Sequence, residues 1–117
     1  MYICSMYSKE LLKGTLKTIV LKLISDNGRM YGYEITQKVK GLTDGKILLT
    51  EGALYPTLHK LEASGLVITQ TQNIGNRVRK YYSVTESGNE QATSMANEFV
   101  EFVQTMLLLL NPQLSKR

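Results

Sequence analysis

The chain has 117 residues, 43% of them hydrophobic, with 14 Lys or Arg against 10 Asp or Glu and a formal charge of +4. This size fits one compact domain plus one projecting element, and the apolar content is too high for a disordered tail. One cysteine, Cys4, and one histidine, His59, exclude an internal disulfide, multi-cysteine zinc patterns and a His-pair metal site within one chain.

The charge is unevenly placed. Up to Thr85 there are 12 basic and 6 acidic residues; from Glu86 onward there are 2 and 4. A basic body joined to an acidic end points to a polyanionic partner for the body and a different task for the end. The longest apolar run, Met106 to Leu110, falls far short of the roughly 20 residues a membrane span needs. No basic leader precedes Ile3, Cys4 and Met6, so the N-terminus reads poorly as a signal peptide, and a cytoplasmic protein without a membrane partner is expected. Cys4 reads as an inert small residue, because no second thiol is present to resolve an oxidised one.

In chain order, Ser8 to Ile24 sets Leu11, Leu12, Leu16, Ile19, Val20, Leu23 and Ile24 at helical spacing, with Lys9, Lys13, Lys17 and Lys22 on the other side. Asp26-Asn27-Gly28 is a stop signal. Tyr31-Gly32-Tyr33-Glu34-Ile35 opens a second helix, with Ile35 and Val39 inward and an end near Gly41; Gly32 permits close packing. Gly45 to Leu49 has room only for a very short strand. Thr50 is placed to N-cap a third helix, with Glu51 favourable beside its dipole, and Leu54, Leu58 and Leu61 recur at i, i+4 and i+7. Pro56, in the second turn, removes one backbone bond, to the carbonyl of Gly52. Ser64-Gly65 closes this helix.

Leu66 to Gln72 alternates, Asn73 to Asn76 is turn chemistry, and Arg77 to Val84 returns as the second strand of a hairpin. Thr85 caps a last helix running from about Glu86 towards Leu110, where Asn111-Pro112 ends it. The expected fold is mainly α with a small β-hairpin. It comprises a winged helix-turn-helix over residues 1–85, a C-terminal dimerisation helix over 86–110 and a tail over 111–117.

Five blocks carry a resemblance: Leu12-Lys13-Gly14-Thr15-Leu16, Tyr31-Gly32-Tyr33-Glu34-Ile35, Glu51-Gly52-Ala53-Leu54-Tyr55-Pro56-Thr57-Leu58, Leu61-Glu62-Ala63-Ser64-Gly65-Leu66 and Arg79-Lys80-Tyr81-Tyr82. Together they resemble the PadR family of bacterial transcriptional regulators, in its compact branch with a short last helix. Thr85 and Gly88 fall at that family's strand-to-helix junction. The resemblance covers roughly Leu11 to Gly88 and implies a winged helix-turn-helix repressor acting as a homodimer through its last helix. Two departures stand out. Ala53 replaces a frequent Thr, removing one hydroxyl. Some compact members bind planar drugs between tryptophans in a dimer pore, and this chain has no Trp, so that activity does not carry over.

The residues themselves indicate how duplex DNA would be held. A major groove about 12 Å wide admits one helix. With the three leucines buried, the third helix turns Gly52, Pro56, His59, Lys60 and Ala63 outward, with Tyr55 at the edge. Gly52 and Ala53 allow the backbone close to the duplex, and the hydroxyls of Thr50 and Tyr55 are candidates for phosphate. The plainer alternatives are a Tyr55 ring packed on the hairpin and a His59 that is only a surface side chain. Arg77, Arg79 and Lys80 put three charges on the wing, and no acidic residue lies between Leu66 and Thr85. Alternation sets Arg77, Arg79 and Tyr81 on one face and Val78, Tyr82 and Val84 on the other. Arg77 and Arg79 are assigned to phosphates or the neighbouring minor groove, against the alternative of a solvated basic hairpin. Few side chains suit base readout, so shape and half-site spacing should carry much of the specificity.

In the last helix Ala92, Met95, Phe99, Phe102, Met106 and Leu109 recur at alternating steps of three and four, as in a dimer seam. Folding back on the first helix is the competing use, and Tyr2, Ile3, Met6 and Tyr7 are candidates to cover a partner's helix. Tyr31, Tyr33, Met95, Phe99 and Met106 are candidates to line a small-molecule effector cavity between subunits, although such residues usually form core. No cofactor is implied. A winged-helix protein-interaction module is the rival function. An enzyme is disfavoured: there is no phosphate-binding glycine loop, H-E-x-x-H, G-x-S-x-G or Cys/His nucleophile pair.

Overall fold

The computed structural model describes residues 6–113. In chain order it contains α1 (Lys9–Lys13), α2 (Leu16–Asn27), β1 (Arg29–Tyr31), α3 (Gly32–Leu42), α4 (Glu51–Ala63), β2 (Val67–Ile74), β3 (Arg77–Val84) and α5 (Glu86–Leu110). The three strands form one antiparallel sheet in the order β1-β3-β2. The expected fold class, a winged helix-turn-helix with a long C-terminal helix, is the one observed. Cys4, Tyr2 and Ile3 lie outside the described residues.

The core follows the expected apolar spacing in α3 and α4. In α2 it takes Val20 and Ile24 as expected and also Leu21, which is not among the residues set inward, while Leu16, Ile19 and Leu23 are partly buried. Val20, Leu21 and Ile24 of α2, Ile35 and Val39 of α3, and Leu54, Leu58 and Leu61 of α4 are buried, closed on one side by Met30, Val67 and Tyr82 of the sheet. Burial pushes the Tyr82 phenol up from its ordinary pKa, because the phenolate would lose its water.

Three local expectations are corrected. The helix expected from Ser8 to Ile24 is two helices. Gly14 is a poor helix former, and both the N–H and the hydroxyl of Thr15 donate to the carbonyl of Leu12 at 3.0 Å, which tightens the chain into a turn. Leu11, expected inward, consequently stands 65% exposed on the short first piece. The strand expected within Gly45 to Leu49 is absent. There the backbone satisfies itself in a turn: Thr43 Oγ1 donates to the Val39 carbonyl and accepts from Ile47 N, while Gly45 N donates to the Lys40 carbonyl. Asp44 and Gly45 adopt positive φ to make this turn. The third strand is instead Arg29–Tyr31, paired with Tyr81–Ser83.

The hairpin is long, with Ile74 opposite Arg77, so that Gly75-Asn76 alone makes the turn. Gly75 has φ +61°, and the left-handed first position is the pattern of a type II′ turn, whose twist matches the flanking strands. Thr85 caps α5 as expected, accepting from Gly88 N at 3.0 Å. The base of α5 packs along α2, with the Ser25 hydroxyl donating to Asn89 Oδ1; its far end projects. The radius of gyration is 16.0 Å, against about 13 Å for a compact domain of this length.

Candidate nucleic-acid interface

α4 begins at Thr50, whose hydroxyl oxygen accepts from Ala53 N at 3.2 Å. That lone pair is committed to the cap; the O–H hydrogen remains available to an acceptor outside the helix. Gly52, Pro56, His59 and Lys60 are exposed, Ala53 is half-buried, and Leu54, Thr57, Leu58 and Leu61 are buried. Pro56 brings no N–H for the Gly52 carbonyl. The Thr57 hydroxyl donates to the Ala53 carbonyl at 3.0 Å, holding the turn next to that gap.

Tyr55 requires a correction. Its ring lies against the core and against Gly32 at the start of α3, so its hydroxyl is directed at its own subunit rather than outward. A Cβ on Gly32 would meet that hydroxyl and come within 2.9 Å of Cζ. Tyr55 joins the first turns of α4 to the N-terminus of α3 and lies near Tyr82 of β3. The alternative of a ring packed toward the hairpin is therefore nearer to what is observed than an outward hydroxyl. Gly32 is thus a close-packing glycine as expected, with an aromatic ring as its neighbour.

The wing carries its cations on both faces. Arg77 and Arg79 share the outer face, while Lys80 lies on the core-side face with its Nζ 5.7 Å from the centre of the Tyr82 ring. Arg79 is stacked at 4.0 Å over Tyr31. A hydrogen bond that Arg79 donates to the Tyr81 side chain, and further the electrostatic influence of Tyr31, Tyr81 and Glu34, favour its cationic form. Arg29 of β1, which sequence reasoning missed, is stacked at 4.1 Å over Tyr81, and the two tyrosines meet edge to face at 5.5 Å. Only the pairing of β1 with β3 brings Arg29 there. Among the described residues no carboxylate lies within ion-pair distance of Arg29, Lys60, Arg77, Arg79 or Lys80.

The seam expected along α5 divides. Ala92 is buried and Met95 half-buried against the chain's own core, so these two are used within the subunit, through the packing of α5 on α2. Farther out Phe99 is 38%, Phe102 57% and Leu109 73% exposed, while Met106 is partly covered. Met6 and Tyr7 are also exposed. Tyr31 does not join Phe99 and Met106 in a lining, because its ring is held on the outer face of the wing. Tyr33 is exposed on the first turn of α3. No helix among the described residues is long and apolar enough to cross a membrane.

Comparison with known proteins places these features. Residues 20–94 match the profile of the "Transcriptional regulator PadR-like family". The chain is 28% identical over 99 residues to the transcriptional regulator Rv3488 of Mycobacterium tuberculosis, covering 85% of this chain and 89% of that one. Among solved structures it is similar to a transcriptional regulator from Clostridium thermocellum, with TM-score 0.78, 26% identity and coverage of 90% of this chain and 98% of that one. It is also similar to a PadR family transcriptional regulator from Eggerthella lenta, with TM-score 0.74, 29% identity and coverage of 87% of each chain.

Proposed function

Because the chain belongs to the PadR-like family of transcriptional regulators, we propose that it binds duplex DNA as a homodimer and represses transcription from an inverted-repeat operator. The observation that carries this reading is an exposed, small-residue start of α4 on the same domain as a wing whose arginines, among the described residues, have no carboxylate within ion-pair distance. Gly52 and Ala53 let the backbone of α4 approach base edges, while Thr50, His59 and Lys60 border the same face. Arg77 and Arg79 supply charge to phosphates next to it, and the electrostatic part of affinity then falls with salt.

Dimerisation is supported by the outer half of α5. Phe99, Phe102 and Leu109 are apolar, exposed and on one helix, and water is a poor neighbour for a patch of that kind. Two such subunits related by a twofold axis present their α4 helices about 34 Å apart, one turn of B-DNA. An effector at this interface draws on Phe99 and Met106 rather than on Tyr31.

Selection of bound fragments from random duplex DNA tests the reading directly. The expected result is an inverted repeat with half-sites one helical turn apart. Retention on duplex DNA that is absent or indifferent to salt would instead favour a protein-interaction module.

A further inference from the structure

We infer that the outer face of the wing sheet is a pre-formed phosphate-binding strip in which Arg29 acts beside Arg77 and Arg79, with Tyr31 and Tyr81 as positioning residues. The inference rests on the reading of this chain as a DNA-binding protein and extends its contact surface from the hairpin back onto β1.

Antiparallel register puts Arg29 and Tyr31 of β1 on the same face as Ser83, Tyr81, Arg79 and Arg77 of β3, since paired residues share a side. The order of stacking is Arg29 on Tyr81, Tyr81 against Tyr31, and Tyr31 under Arg79. A guanidinium laid on a ring uses its flat face and leaves its rim N–H groups pointing outward. Arg79 spends one on the Tyr81 side chain, and those that remain have the geometry that grips phosphate oxygens. The rings also restrict long side chains that otherwise lose much rotamer freedom on binding.

Among the described residues Glu34 is the carboxylate that acts on Arg79, and it already accepts the Tyr31 N–H at 3.0 Å. No carboxylate among the described residues lies within ion-pair distance of Arg29, Arg77 or Arg79, so they can neutralise phosphates, and a polyphosphate backbone then releases the cations condensed on it. The position of the strip relative to α4 is fixed by packing. Tyr55 of α4 rests on Gly32, Gly32 follows Tyr31, and Tyr31 carries Arg79. The strip and the first turns of α4 are thereby joined through one junction at the start of α3.

The test is binding of the full chain to a random-sequence duplex across a salt series, comparing wild type with R77Q, R29Q and R29M; R29M keeps the apolar stem over Tyr81 and lacks the charge. Both Arg29 variants are expected to flatten the slope of log affinity against log salt by roughly 1 per protomer, while R29K keeps the slope. Y31L is expected to weaken binding several-fold with the slope intact, and Y31F, which retains the ring, to restore it. If R77Q flattens the slope while R29Q and R29M leave it at the wild-type value, the strip is overturned and DNA binding stands. If the wild type itself shows no salt-dependent binding, the underlying reading fails with it.

Discussion

Gly88→Ala is the substitution for which the structure gives the firmest expectation. Gly88 sits in the first turn of α5, buried against the start of β2, and a Cβ there would be driven into the Leu66 carbonyl, within 2.9 Å of its carbon and 3.2 Å of its Cα. All three atoms are backbone, so no side chain can swing aside. The Leu66 carbonyl also accepts Thr85 N–H at 3.0 Å, and Thr85 Oγ1 receives Gly88 N–H at 3.0 Å while donating to the Gly65 carbonyl at 2.8 Å. Moving Leu66 or Gly88 loosens this set together.

The cost is assembled from three parts and one offset. Overpacking a closed site costs about 1–3 kcal/mol; the backbone bond and the cap are each worth about 1 kcal/mol net. Alanine recovers up to about 1 kcal/mol through its helix propensity. The expected net loss is about 2–4 kcal/mol, and at roughly 4 °C per kcal/mol for a domain of this size the melting temperature should fall by roughly 8–16 °C. Urea unfolding with a shifted midpoint and an unchanged slope reads it out. A loss below about 0.5 kcal/mol would place Gly88→Ala among ordinary surface changes and refute the contact.

Three further outcomes are expected. Gly52→Ala meets nothing closer than Thr50 Oγ1 at 3.9 Å, so stability should hold or rise by up to about 1 kcal/mol; operator affinity should nevertheless fall, and equal affinity would exclude close approach of α4 at Gly52. Phe99→Glu combined with Phe102→Glu should give monomers in sedimentation with much weaker operator binding, and a wild type already monomeric at micromolar concentration would remove the proposed interface. Because the folded-state pKa of Tyr82 lies above its ordinary 10.0, the neutral phenol contributes stability that is present below pH 10 and lost as pH rises through the folded value. The stability of wild type relative to Tyr82→Phe should therefore decline from about pH 10 upward, and a constant difference in alkaline unfolding curves would reject that linkage.

The parts of the fold that were legible in sequence are those encoded by local repetition or local chemistry. The leucines of α4 at i, i+4 and i+7, Thr50 and Thr85 as caps, Gly28 as a stop and the hairpin around Gly75-Asn76 are each specified within a few residues. β1 was not legible, because three residues have no period and their hydrogen bonds come from partners about fifty positions later. The same distance hid Arg29, which looks like an isolated cation after a helix until β3 sets Tyr81 beneath it. Tyr55 was misplaced for a related reason. A helical wheel puts it at the edge of the outward face, but the absent side chain of Gly32 leaves a recess that takes the ring. The α5 periodicity was visible throughout, whereas the point at which its burial passes from Ala92 and Met95 to the exposed Phe99 depends on where α2 ends beside it.

This division of α5 bears on how a dimer would set operator spacing. A helix of 25 residues is about 37 Å long at 1.5 Å per residue. In the proposed dimer the distal half meets the partner, and that contact is joined to α4 through the proximal half of α5, which is held at its base and along α2. A tilt of about 5° at the base would move the distal end by about 3 Å over this length, a large fraction of the rise between base pairs. Backbone against backbone at Gly88 and Leu66, with Thr85 bonded to both sides of the junction, is a joint with little room to tilt. Side chains packed at that point would adjust to strain by changing rotamer; two backbones in contact do so only by moving whole elements. In the proposed dimer the glycine at Gly88 would link the core of one subunit to the separation of two α4 helices, and the spacing preference in selected DNA is then expected to be narrow.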